Sequence, residues 1–543
     1  MPRKQSTKNT KETLFENGQA APGNGARADI NIEGELWDAA VHLRGNVAPA
    51  DYKHYVLPLL FLRHLSLKYE RRREELERLM KDESSEYFTD DPAIAQDIFD
   101  DPLEYKKVGV FIVPETARWG YLVEHAQDDD IKLKLDRAME SLEVAYPELR
   151  GVLPKIYAGS NLDREGVSGL INLFSRDIFA LDADGGSDVL GRVYEYFITN
   201  FASTEGTRGG EFFTPRSIVR LLVAMMEPKE GKVFDPACGS GGMFVQSAEF
   251  THNSGSLSFY GQEQVDTTLR LCKMSLLLHN LNGDIRLGNS LLNDQHPELR
   301  ADIVIANPPF NLQRWGADRI ASDDPRLQVG SRRVVPTDSN ANFFWMMHFL
   351  HHLKDGGTAG YVMANGAMTT GVTEEKAARV ALVEEDLVDC IVQLPEKLFF
   401  GTGIPASLWL LSRNRDGRGP YRKRNGEILF IDTRQRGVMV SRRQRAFTDA
   451  DVAEMAAVYH HYREVEGERQ NIPGFCKTAT LDEVREHDYK LTPGVYVGTD
   501  VGAADDTPYE IKMAELTAEL KALFAQSNSL QEKILRELKT VGQ

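Results

Sequence analysis

Asp235-Pro236-Ala237-Cys238-Gly239-Ser240-Gly241-Gly242-Met243-Phe244 stands between a β-branched run at 232–234 and an apolar stretch of helical spacing at 243–251. A strand that ends in a glycine-rich turn and enters a helix opens a doubly wound α/β sheet, because glycine permits the tight turn and lets a ligand approach the backbone. Dinucleotide sites and ordinary turns use the same device, so the surroundings decide. The run is neither Gly-x-Gly-x-x-Gly nor Gly-x-x-x-x-Gly-Lys-Ser/Thr. Its strand ends in an acid and offers no lysine, which serves nucleotide phosphates poorly.

Working outward, β-branched runs recur at 257–260, 285–287, 303–306, 359–363, 388–393 and 407–411, and helical patterns fall at 217–226, 265–280, 342–353 and 374–383. This alternation predicts a mostly parallel sheet with crossover helices. Glu263 follows the second predicted strand, 28 positions after Asp235, where it would overlook the same crevice and accept ribose hydroxyls. Asn289 follows the third; it either closes the pocket around a planar base or is an ordinary loop asparagine. The set suits a nucleoside without phosphates whose amino or cationic end lies at the glycines. Residues 311–339 show little periodicity and read as a functional or disordered loop.

Upstream, apolar residues return at helical spacing through 36–69, and again at 133–149 and 189–201. The charged run 70–86 and the aspartate-rich 90–101 read as a solvated helix end and a loop. The predicted organisation is a disordered tail at 1–30, a helical N-terminal domain at 31–165, a catalytic α/β domain at 166–500, and a linker with an amphipathic helix at 501–543. That last helix carries Leu516, Leu520, Leu523, Leu530, Ile534 and Leu538, and it docks either on its own domain or on another subunit.

With 543 residues, 42% hydrophobic and 27% charged, the chain can bury large cores, which excludes a fibre or a wholly disordered protein. A net charge of -17 opposes general adhesion to a polyanion. Six basic residues against one acid between Arg413 and Asn425, followed by Arg434, Arg436, Arg442, Arg443 and Arg445, offset it locally. They form either a DNA-backbone or partner contact or a solvated surface. Four dispersed cysteines without Cys-x-x-Cys spacing point to a reducing cytoplasm, and histidines and cysteines lack metal-ligand spacing. Glu104-Tyr105-Lys106 has the acid-x-Lys form of some nucleases, but no companion acids on a predicted sheet.

The run 303–306 leads straight into Asn307-Pro308-Pro309-Phe310. Two prolines stiffen the turn, the Asn307 side chain and Pro308 carbonyl offer acceptors, and Phe310 offers an aromatic face. Two acceptors and a ring fit an exocyclic amine on a planar base. In combination with the glycine run, this motif resembles the S-adenosylmethionine-dependent DNA methyltransferases that modify adenine N6. Leu36-Trp37-Asp38-Ala39-Ala40, Leu43-Arg44-Gly45-Asn46, Tyr52-Lys53-His54-Tyr55, Gly210-Glu211-Phe212-Phe213-Thr214-Pro215 and Leu491-Thr492-Pro493-Gly494 resemble, more narrowly, the modification subunit of type I restriction-modification systems, over roughly residues 32 to 540.

That resemblance implies a Rossmann-like methyltransferase sheet with a helical N-terminal domain and a C-terminal amphipathic helix. It implies S-adenosyl-L-methionine as cofactor, its methionine end at Asp235, Gly239 and Gly241, with Ala237 and Ser240 among the cofactor-binding residues of the same loop, its ribose on Glu263, and Phe213, Thr214 and Pro215 enclosing the other side. Asn307, Pro308, Pro309 and Phe310 would hold the adenine, and Phe399 or Phe400 either assists the flipped base or packs in the core. Cys238 matches the family's loop and is not read as a nucleophile. Implied partners are double-stranded DNA, a specificity subunit with two modification subunits per copy, and a restriction subunit, since no Walker loop supplies ATP-driven translocation here. Cytosine N4 or a protein glutamine amide would present a similar NH2 group, and a scaffold that has kept only the fold is the non-enzymatic alternative.

Overall fold

Nine strands pair into one sheet in the computed structural model, which describes residues 51–176, 214–399, 405–442, 444–465, 467 and 469–498, with isolated positions Val47, Tyr194, Met513, Thr517 and Lys521. They are β1 (Gly231–Asp235), β2 (Leu257–Glu263), β3 (Gly283–Leu287), β4 (Ala301–Ala306), β5 (Leu353–Ala364), β6 (Val388–Gln393), β7 (Ala406–Ser412), β8 (Glu427–Asp432) and β9 (Cys476–Thr480). The spatial order is β9-β8-β6-β7-β5-β4-β1-β2-β3. β7 runs antiparallel to β5 and β6, β9 antiparallel to β8, and the remaining pairs are parallel. β7 can reverse because no crossover helix has to return it: only residues 394–405 separate it from β6.

All seven strands expected from the β-branched runs are present. β8 and β9 are additions, and the apolar run Ile428-Leu429-Phe430-Ile431 of β8 is hidden in the sequence by the arginines before it. Central strands are apolar at successive positions because helices cover both faces, as β7 shows by being buried throughout.

The N-terminal part is helical. Its first described helix, α1 (Tyr52–Lys81), carries its charged end in the same helix as its buried Leu57, Leu60 and Phe61. α2 (Ile131–Ala145) and α3 (Arg164–Phe174) pack with it around Trp119, Leu135 and Leu170. The expected loop at 90–101 contains a helix, Pro92–Asp100, because Asp91 caps the Ala93 amide and Pro92 sits in the first turn, where a missing N–H costs nothing. Glu104 of the nuclease-like triplet pairs with Lys107 and Arg72 and accepts from Tyr87, a structural cluster.

Among the described residues the longer helices that cover the sheet are α4 (Arg216–Met226), α5 (Gly242–Phe250), α6 (Asp266–Leu278), α7 (Asn342–His352), α8 (Thr373–Glu384) and α9 (Asp449–Arg463). α6 serves two cores: Leu269, Cys272 and Leu276 enter that of the sheet, while Leu271, Met274 and Leu278 enter that of the N-terminal helices. Residues 311–339 are ordered by burial of Trp315, Leu327 and Val329, with Trp315 stacked on Phe344 at 4.9 Å. No helix among the described residues is long and apolar enough to cross a membrane. The predicted tail, the 189–201 helix apart from Tyr194, and the C-terminal helix apart from Met513, Thr517 and Lys521 lie outside the described residues.

Candidate active site

Parallel strands deliver their carboxyl ends to one rim, and there the predicted residues meet. Asp235 ends β1, Glu263 ends β2, and Asn307 follows β4. Gly239 (φ 54°) and Gly241 (φ 85°) adopt the left-handed conformation between β1 and α5. A Cβ on Gly241 would meet Cys272 Sγ at 3.0 Å, whereas one on Gly239 would project into open space. The first glycine thus seats the loop on α6, and the second leaves its backbone accessible.

The carboxylates shape this loop. Asp235 is buried and its Oδ1 accepts the Ala237 amide at 2.9 Å. Burial pushes its carboxyl up to about 8, opposed by that amide and reinforced by the negative charge of Glu263. Glu263 accepts Gly239 N–H through Oε2 at 3.0 Å and Val265 N–H through Oε1 at 2.9 Å, which fixes its orientation at the rim. Each carboxylate oxygen keeps further lone-pair capacity.

A cavity of about 70 Å³ is bounded by Thr214, Val219, Asp235, Ala237, Cys238, Gly239, Ser240, Gly242, Met243 and Asn307. Asn307 Nδ2 donates to Thr214 Oγ1 at 2.9 Å, joining the turn after β4 to the segment that enters α4. Pro215, at the start of α4, is buried, and Phe213 lies outside the described residues. The turn beginning at Asn307 and the glycine loop therefore share one enclosure.

Beyond Asn307, Pro308 is buried and Pro309 half-buried. Phe310 is 7% exposed and meets Phe399 edge-on, ring centres 6.4 Å apart. Phe400 lies outside the described residues. Sequence reading missed Asn342, whose Oδ1 accepts Asn311 N–H at 2.7 Å and whose Nδ2 donates to Asn311 Oδ1 at 3.1 Å, locking the residue after Phe310. Its position as the first residue of α7 gave no sign of this role. Asn289 accepts the Leu291 and Leu292 amides through Oδ1, so that oxygen closes its own turn. Gly288 N–H donates to Glu263 O at 2.9 Å and keeps that turn beside the site.

Other chemistry resolves differently. A hydrogen bond with Cys272, then burial, raises the Cys238 thiol well above its ordinary range, which leaves it a poor nucleophile. Part of the basic run 413–424 faces inward: Arg415 and Arg424 pair with buried Asp389, and half-buried Arg422 pairs with Glu427, whereas Arg418 pairs with Asp355 at the exposed surface. As a general DNA-binding surface that run is largely consumed by the fold.

Residues 185–504 match the N-6 DNA methylase family, and residues 32–174 match the HsdM N-terminal domain. The chain is 40% identical over 518 residues to the type I restriction enzyme MjaIX methylase subunit of Methanocaldococcus jannaschii, covering 94% of this chain and 91% of that one. It is 39% identical to the HindI methylase subunit of Haemophilus influenzae, covering 79% and 100%. Among solved structures, the methyltransferase subunit of a type I restriction-modification system from Streptococcus thermophilus shares the fold, with a TM-score of 0.71 at 24% identity over 86% of this chain and 99% of that one.

Proposed function

This chain belongs to the N-6 DNA methylase family as a modification subunit of type I restriction-modification systems, and from that premise we propose that it methylates N6 of an adenine turned out of duplex DNA. The observation that carries the reading is the shared enclosure: Asn307 lines the same cavity as Asp235 and Gly239. The residues present fit S-adenosylmethionine, with an accessible backbone at Gly239, a buried acid at Asp235 for an ammonium group, and an oriented carboxylate at Glu263 for ribose hydroxyls. The enclosed volume suits the methionine end, with the nucleoside lying along the rim toward Glu263 and Asn289. Ala237, Ser240 and Thr214 complete the wall, and Pro215 carries the chain from Thr214 into α4. When bound, S-adenosylmethionine supplies an electrophilic methyl on a sulfonium centre.

An adenine amino group is a weak nucleophile because its lone pair delocalises into the ring. Asn307 Oδ1 and the Pro308 carbonyl accept its two N–H groups, which favours a pyramidal, electron-rich nitrogen as the N–C bond forms and the C–S bond breaks. Phe310 and Phe399 hold the ring plane, and the stiffness of Pro308-Pro309 keeps nitrogen and methyl aligned. The proton departs to solvent or a neighbouring acceptor. Turning the base out costs about a few kcal/mol, repaid by these contacts. The same reading gives the chain a specificity subunit as partner, which reads the DNA sequence.

The test reconstitutes the chain with its specificity subunit, supplies labelled S-adenosylmethionine and duplex DNA, and identifies the modified nucleoside by mass spectrometry. N6-methyladenine is expected, with little activity from the isolated chain. Asn307→Ala is expected to lose about 10²–10³-fold in turnover while cofactor binding is largely kept. An N4-methylcytosine product, or unchanged turnover in Asn307→Ala, overturns the assignment.

A further inference from the structure

Beyond the carboxyl end of β8 the chain turns into an antiparallel hairpin in which Val438 pairs with Ala446 and Met439 with Arg445. Because β8 runs parallel to β6, and both share the direction of β1 and β4, this hairpin leaves the sheet at the rim that carries the glycine loop and Asn307. Its base is closed at Gly437 (φ 81°), where a Cβ would meet Ala446 O at 2.9 Å. Arg445 N–H donates to Lys397 O at 2.8 Å. The hairpin is thereby fastened two residues from Phe399, whose ring meets Phe310.

Three consecutive apolar residues on it are open to solvent: Val438 at 52%, Met439 at 45% and Val440 at 55%. Successive strand residues point to opposite faces, so this ribbon is uncovered on both. An exposed apolar run of this kind marks a contact surface. Around it, Arg442 and Lys397 are exposed with no acid paired to them among the described residues. Arg445 directs its guanidinium to the Arg436 carbonyl at 2.8 Å, which leaves its charge unneutralised, while Glu396 is the neighbouring acid. Arg434 and Arg436, by contrast, are paired with Asp432 and Glu454. An apolar hairpin arm flanked by cations with no acid paired to them, in a chain of net charge -17, is complementary to nucleic acid: phosphates for the cations, base edges and sugars for the apolar wedge.

Building on the methyltransferase reading, we propose that the hairpin arm 437–442 is a duplex-contacting element: Val438, Met439 and Val440 pack against the DNA beside the extruded base, and Arg442 and Lys397 hold flanking phosphates. The juxtaposition of this wedge with Phe399 couples distortion of the duplex to capture of the base.

Two double variants test it in the assembled complex, on methylation-free plasmid DNA that the wild type modifies. Met439→Ser with Val440→Ser is expected to raise KM for DNA about tenfold while cofactor affinity and assembly with the specificity subunit are kept. Lys397→Ala with Arg442→Ala is expected to reduce the slope of log affinity against log salt by roughly two, close to one per phosphate contact. Unchanged KM together with an unchanged salt slope overturns the proposal and leaves adenine methylation, and so the underlying reading, intact. Failure to co-purify with the specificity subunit at unchanged salt slope assigns the hairpin to a protein interface and also overturns it. Absence of N6-methyladenine from the wild type sinks the methyltransferase reading alone, since the salt slope on the same plasmid still judges the hairpin.

Discussion

Asp235 illustrates how a residue legible by motif acquires its behaviour from burial. Its carboxyl, ordinarily half-ionised near pH 4, is pushed up to about 8 in the ligand-free protein. Between those values the folded chain retains a proton that the unfolded chain has lost, so the group's contribution to stability falls as pH rises from about 4 to 8. Asp235→Asn cannot ionise, so relative to wild type it should gain thermal stability at pH 8, by an amount on the order of a few kcal/mol, with little gain at pH 5. Melting curves at the two pH values check this, and an equal offset at both would rule it out. The same variant is expected to bind S-adenosylmethionine more weakly if, as proposed, Asp235 is the partner of its ammonium group. Motif reading singled out Asp235, Glu263 and Asn307, since each lies at or just after the carboxyl end of a strand. It missed Asn342, which acts on Asn311 from 31 positions away.

At the scale of elements, β6, β8 and α9 are held by a buried charge network. Asp389 on β6 receives two hydrogen bonds from Arg424, at 2.9 and 3.0 Å, and one from Tyr459 of α9 at 2.8 Å, with Arg415 also paired to it. Removing one partner from such a cluster leaves uncompensated charge in a poorly solvated place. Asp389→Asn should therefore cost about 3–5 kcal/mol in urea denaturation, far more than loss of an exposed pair such as Lys81 with Glu77, which solvent and salt screen. A cost below about 1 kcal/mol would show the network to be solvent-relaxed. Arg415 and Arg424 read in sequence as part of a basic surface because sequence displays charge but not the acid, 26 and 35 positions upstream, that neutralises it.

For the whole molecule, α6 is the shared member of two cores. One side belongs to the sheet; the other carries Leu271, Met274 and Leu278 into the N-terminal helices, and Tyr194 donates from its hydroxyl to the Leu271 carbonyl at 3.1 Å. A charge placed on that second side should uncouple the bodies while sparing the cavity between the glycine loop and Asn307. Met274→Asp is expected to split the calorimetric transition into two, the N-terminal helices melting first, because an unpaired carboxylate would be buried between them. A single transition at unchanged temperature would show that α6 does not couple them.

Sequence alone determined the alternation of strands and crossover helices, the glycine loop and the Asn-Pro-Pro-Phe turn, since each rests on local rules of period, backbone freedom and ring closure. Only the tertiary structure decided that Asn307 reaches Thr214, that Phe310 meets Phe399, that Arg415 and Arg424 turn inward onto Asp389, and that the hairpin after β8 is fastened to Lys397. Those facts depend on which strands become neighbours. Residues 93 and 89 positions apart, as Thr214 and Asn307 or Phe310 and Phe399 are, meet only after the whole sheet has been ordered by burial of its two faces.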